Sequence, residues 1–261
     1  MRPPSAGAEV RTTDREGGFS DADVATLERL TPFLGLAIKS ASLARIANTL
    51  VETYLGRDAG RRVLQGRIAR GVADRIKTVL WFSDLRNYTR ISDTAPAEEI
   101  IPLLNDYADA VVSAIHQNDG DVLKLIGDGV LAIFPAEERA RACVAALKAA
   151  TLARQSVRAL NERRVGKSLP VTDMYLGLHI GEVFYGNIGS KERLDFTVIG
   201  PAVNEVSRIA AMCRSIDQPL LISAAFAAAV SEPQQPFVSV GRYALRGVGR
   251  PQELFTLDLP T

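Results

Sequence analysis

Histidine and cysteine are scarce, and neither sign of charge is in excess. The chain of 261 residues has two His, two Cys, and 31 Lys and Arg against 30 Asp and Glu, a formal net charge of +1. His116 and His179 lie far apart in sequence, which argues against a multi-histidine zinc site. Cys143 and Cys213 cannot supply the disulfide framework of a small secreted protein, and such usage suits a reducing compartment. Balanced charge argues against a general nucleic-acid binder, whose affinity rests on a basic surface. No apolar run approaches the roughly 18 residues that a membrane span needs. The first ten residues, MRPPSAGAEV, lack the charged-then-apolar pattern of a signal peptide, so a cytoplasmic protein is expected. With 47% hydrophobic residues a substantial core can form. Chemistry in such a chain rests mainly on carboxylates, Lys, Arg, Asn and backbone groups, a set suited to phosphates and hard metal ions.

Residues 1–18 are rich in Pro, Gly and charge and read as a flexible start. A helix signal begins at Ser20, where Ser20 and Asp23 resemble a capping box, and Val24, Leu27, Leu30, Leu34 and Ile38 recur at helical spacing. Pro32 is expected to bend or break this helix. Leu36, Leu43 and Leu50, with Ile46, form a brief heptad-like stripe. It fits either a helix packed on its own domain or a two-stranded signalling helix that docks a partner subunit. The basic stretch from Arg57 to Lys77 contains Asp58 and Asp74 and reads as a solvated linker surface.

From Thr78 short apolar runs alternate with longer helical segments. TVLWF (78–82) reads as a buried strand ending at Ser83-Asp84, 95–117 as an amphipathic helix, and VLKLI and VLAIF as a hairpin about Gly127-Asp128-Gly129. An Ala-rich helix over 136–164 follows. MYLGLHI and EVFYGNI read as two strands hinged at Gly181. A helix over 202–214, a strand at 220–222, and the late strands VSVGRYAL and ELFTLDL complete the chain. This order predicts an α/β (α+β) sandwich with a ferredoxin-like βαββαβ core and an N-terminal helical extension.

If the strand ending at Asp84 neighbours the hairpin carrying Asp128, both carboxylates project from one end of the sheet and repel unless a cation lies between them. Paired carboxylates with phosphate oxygens are what Mg²⁺ accepts. Asn204 and Arg208, four apart, share one helix face, with Ala202, Val206 and Ile209 on the buried side. Pro201 fits the first position of that helix. An Arg fork beside an Asn amide suits a phosphate or a ribose.

FSDLRNYT, LKLIGDGVLAIF, GLHIGEVFYGNIGS and DFTVIGPAVNEVSRI together resemble the class III adenylate/guanylate cyclase catalytic domain, in the family's order over about residues 78–258. The resemblance implies conversion of ATP or GTP to a 3′,5′-cyclic nucleotide and pyrophosphate. It also implies two divalent ions, Mg²⁺ or Mn²⁺, per site and a head-to-tail homodimer whose sites draw residues from both subunits. Asp84 and Asp128 match the metal-binding aspartates. Lys124 matches the lysine that reads the purine, and Thr197 occupies the second base-reading position. Asn204 matches the ribose-orienting residue, Arg208 the one that stabilises charge at the α-phosphate. Arg246 lies near a family Lys that contacts the terminal phosphates. Lys124 can donate to adenine N1 and Thr197 can accept from the 6-amino group, which favours ATP and an adenylate cyclase, a phosphorus–oxygen lyase.

Two departures stand out. The first motif has Asn87-Tyr88 where the family commonly has Gly-Phe; Asn is the side chain that best tolerates the left-handed geometry Gly supplies there. Upstream, FSDADVATLERLTPFLGLAIKSA resembles the closing helix of a GAF-type sensor without room for that whole domain, as in a fragment or a reduced form. The expected organisation is a flexible start (1–18), a helical sensor remnant and connector (19–77) and the cyclase domain (78–261). The alternatives are a catalytically silent, cyclase-like regulatory module and a guanylate or relaxed-specificity cyclase.

Overall fold

The computed structural model describes residues 12–230 and 237–257. The expected flexible start falls largely, and the end of the last expected strand (258–259) wholly, outside them. The chain divides into two compact units between Leu50 and Val51. The first holds most of α1 (Asp21–Leu55). Its capping box is reciprocal: Ser20 N–H donates to Asp23 Oδ2 at 3.0 Å, and Asp23 N–H to Ser20 Oγ at 3.3 Å. The expected break at Pro32 does not occur, and α1 runs unbroken through it. Pro32 deprives the Glu28 carbonyl of its helical donor, but both residues are exposed, so water can satisfy that oxygen. No residue of α1 is buried; Leu36, Leu43, Ile46 and Leu50 are each more than half exposed.

The second unit opens with α2 (Arg57–Leu64), a helix inside the stretch that reads as a solvated linker. Asp58 holds both Arg61 and Arg62, at 2.5 and 2.6 Å. Ala59 and Gly60 are buried. Charge patterning hides this docking, because the apolar contribution to it is slight: Ala59 is buried, and Val63 packs on the same cluster half-buried.

The remaining elements are β1 (Ala73–Leu85), α3 (Tyr88–Thr94), α4 (Ala97–His116), β2 (Asp121–Ile126), β3 (Gly129–Pro135), α5 (Arg139–Val165), β4 (Met174–Gly189), β5 (Leu194–Ile199), α6 (Pro201–Ser215), β6 (Leu220–Ser223), α7 (Ala224–Ala227), β7 (Phe237–Tyr243) and β8 (Gln252–Leu257). They form one sheet of order β2-β3-β1-β4-β6-β8-β7, with β5 hairpinned onto β4. The βαββαβ core, β1-α4-β2-β3-α5-β4, pairs in the order β2-β3-β1-β4 with every neighbour antiparallel, the expected ferredoxin-like arrangement.

The TVLWF run is continuous because both sheet faces are covered. Val79 and Trp81 pack with Tyr107 and Val111 of α4 and Ala146 and Ala150 of α5. Leu80 packs on the opposite face with Leu131, Val183 and Val206 of α6. The expected pair of strands hinged at Gly181 is instead one strand, β4. Gly181 serves close approach: a β-carbon there would lie 2.5 Å from Ala202 Cβ, where α6 crosses the sheet.

Candidate active site

β1 ends over a buried hydroxyl. Ser83 Oγ accepts from Trp81 Nε1 at 3.0 Å and from the Tyr107 hydroxyl at 3.4 Å, both buried donors, which pins the strand immediately before Asp84. Strand alternation then places Asp84 on the face of Leu80 and Phe82. β3 lies beside β1 with Ser83 opposite Val130, so the hairpin turn bearing Asp128 comes to the same sheet end. The Leu85 N–H is shared, donating to Asp84 Oδ1 at 3.0 Å and to Asp128 Oδ2 at 3.3 Å.

Burial, followed by the hydrogen bond and like charge of Asp128, raises the Asp84 carboxyl to about 7; the Leu85 N–H and Arg214 act in the opposite sense. Two adjoining carboxylates, partly withdrawn from water and without a cationic hydrogen-bond partner among the described residues, suit a hard divalent cation. No third His, Cys, Asp or Glu joins them among the described residues, so the rest of a coordination shell would come from backbone, water or substrate oxygens. The departure at Asn87 is accommodated as expected: its φ of 60° and ψ of 26° are left-handed, and it leads into α3.

Lys124 sits at a β-bulge in β2, opposite Leu131. Its ammonium pairs with the Asp195 carboxylate on β5. Asp195 and Thr197 alternate onto one face of β5, about 7 Å apart along the strand. Thr197 is 6% exposed, and its hydroxyl is buried with no hydrogen-bond partner among the described residues. Asp195 carries no local pattern of its own in the sequence; strand alternation in DFTVIG, which sets it on the face of Thr197, is the available signal.

Pro201 opens α6, and Ala202, Val206 and Ile209 are buried on its inner side, as expected. Asn204 and Arg208 are exposed, and among the described residues neither side chain has a hydrogen-bond or ion-pair partner. His179 and Glu205 join this helix to β4: His179 Nε2 lies 3.4 Å from Glu205 Oε2, and Nδ1 lies 2.8 Å from Ser223 Oγ. Burial pushes the imidazole down to about 4 and the Glu205 carboxyl upward. The ring is therefore neutral at pH 7, and the 3.4 Å approach is a polar contact rather than an ion pair. Arg246 is exposed in the 244–251 connection between β7 and β8. The structure thus unites Asp84 with Asp128, Lys124 with the strand of Thr197, and Asn204 with Arg208. No hydrogen bond or ion pair links these three groups among the described residues, and none reaches Arg246.

The sequence profile of the Adenylate and Guanylate cyclase catalytic domain matches residues 73–258. The chain belongs to this cyclase family. An uncharacterized protein of Mycobacterium tuberculosis (strain CDC 1551) is 33% identical over 210 residues, 78% of this chain and 36% of that protein. The adenylate cyclase of Anabaena cylindrica is 34% identical over 168 residues, 63% of this chain and 33% of that enzyme. The chain therefore spans about a third of the length of these curated relatives. A bacterial light-regulated adenylyl cyclase of known structure superposes with a TM-score of 0.73 over 88% of this chain and 65% of that one, at 23% identity, a likeness of fold. No helix among the described residues is long and apolar enough to cross a membrane.

Proposed function

We propose that this cyclase domain is an adenylate cyclase, converting ATP to 3′,5′-cyclic AMP and pyrophosphate within a cytoplasmic signalling protein. The ribose 3′-oxygen attacks the α-phosphorus, the bond from that phosphorus to the bridging oxygen breaks, and pyrophosphate leaves with the electron pair while the hydroxyl proton passes to water. Asp84 and Asp128 would hold Mg²⁺ or Mn²⁺, two ions per site, which when bound supply a lowered pKa for the 3′-hydroxyl and positive charge for the phosphates. Asn204 orients the ribose, and Arg208 stabilises the negative charge that develops at the α-phosphate. Arg246 contacts the terminal phosphates. Exposed and unpartnered side chains on α6 support a site completed by a second copy of the chain, in a head-to-tail homodimer. The cyclase domain is assigned to 78–261, after a connector and sensor remnant (19–77) and an opening segment (1–18).

Lys124 carries the choice of ATP. An ammonium donates to adenine N1 but meets a hydrogen at guanine N1, and the Thr197 hydroxyl, without a hydrogen-bond partner among the described residues, can accept from the 6-amino group. The adenylate cyclase of Anabaena cylindrica among the relatives supports the same reading. A guanylate or relaxed-specificity cyclase is the second reading, because the family covers both activities and a hydroxyl can also donate. Purified protein incubated with Mn²⁺ and either ATP or GTP, with products separated chromatographically, tests both. Cyclic AMP from ATP is expected. Cyclic GMP as the main product would favour the second reading, and no turnover of either would indicate a catalytically silent regulatory module.

A further inference from the structure

We propose that Asp195 is a specificity-determining positioning residue, which holds the Lys124 ammonium where it discriminates the purine ring of the substrate. This rests on the reading of Lys124 as the purine-reading residue. β2 pairs with β3 and β5 with β4, so no backbone ladder joins the strand of Lys124 to that of Thr197. The Lys124–Asp195 ion pair supplies a side-chain link between them. The two side chains are 30% and 53% exposed, and ion pairs so exposed add little to stability. Orientation is the better use for it.

A lysine carries a compact charge on a flexible four-carbon stem and has no planar fork to aim it. Left alone, the Lys124 ammonium would sample many positions, including those within reach of a guanine O6 acceptor. Tied to Asp195, it keeps donors free for a purine nitrogen while its charge is held at Asp195, about 7 Å along β5 from Thr197 and so away from the exocyclic group. Asp195 accepts and does not donate when ionised, so it adds no donor for guanine O6. The Thr197 hydroxyl, two residues along, is buried without a hydrogen-bond partner among the described residues, and meets the exocyclic group once the side chains that cover it give way to the base. Discrimination in this arrangement depends on where the ammonium is held as well as on its presence.

The test compares ATP with GTP on the same preparation of the full chain, by kcat/KM and by equilibrium displacement of a fluorescent nucleotide. A ratio of the two nucleotides is insensitive to the fraction of a variant that has folded, and the displacement arm needs no turnover. Asp195→Ala and Asp195→Asn are expected to lower the ATP:GTP ratio about tenfold, mainly through KM, with Asp195→Glu recovering much of it. A ratio in Asp195→Ala within twofold of the parent overturns the proposal. Lys124→Ala separates the two levels. If it leaves the ratio unchanged, the purine-reading role of Lys124 itself falls. If Lys124→Ala shifts the ratio and Asp195→Ala does not, only the positioning role of Asp195 falls.

Discussion

At the end of β1 two acids share one backbone N–H, and the repulsion between their like charges should be measurable without catalysis. Mn²⁺ is expected to raise the thermal midpoint of the parent protein by neutralising the pair. Asp84→Asn or Asp128→Asn should abolish both that rise and turnover; a variant that keeps the full rise would remove the pair from metal binding. On α6, Arg208→Ala is expected to lower kcat about 10²–10³-fold, as for other donors to a charged transition state. Activity equal to the parent would refute its assigned role. His179 brings a dependence on acidity. Its folded value, about 4, lies below the ordinary 6.5, so its contribution to stability is complete above pH 6.5 and is lost as pH falls toward 4. Denaturation midpoints of parent and His179→Gln measured between pH 7.5 and 4.5 should therefore show the steeper acid loss in the parent, and equal slopes would reject this cause. Asp84, Asp128, Asn204 and Arg208 were legible because each sits in a local pattern of strand end, glycine turn or helix face. Asp195 was not, because its meaning comes from a lysine 71 positions away.

At the scale of elements, periodicity located the long helices and the β2–β3 hairpin but misjudged two joints. A proline in an exposed helix loses one hydrogen bond that water can replace, so Pro32 does not interrupt α1. A glycine between two apolar runs reads as a hinge in sequence, yet Gly181 lies within continuous β4 and admits α6. Gly181→Ala is accordingly expected to destabilise the protein by about 1–3 kcal/mol through overpacking against Ala202. It should also reduce turnover, since α6 carries Asn204 and Arg208. An unchanged melting temperature with unchanged activity would mean that α6 retreats freely. α2 and β5 escaped the sequence reading for a common reason. Their apolar signal is short: α2 offers Ala59 and a half-buried Val63, and the six-residue β5 offers Phe196 and Val198.

Across the whole molecule, the family, the βαββαβ core and the convergence of Asp84 with Asp128 followed from motif order, because those motifs fall at strand ends and turns of one sheet. Residue order said much less about how the second half of a site is supplied. If two copies complete it, specific activity should fall on dilution as dimers dissociate. Constant activity at a concentration where sedimentation finds only monomer would exclude shared sites. Trp81 is the only tryptophan in the chain, fully buried, and its indole N–H is bound to the hydroxyl of the residue adjoining Asp84. The protein thus carries its own fluorophore three residues from the carboxylate pair. A shift in indole emission during cation titration would report strain passing back along the strand, with no dye attached and no side chain replaced.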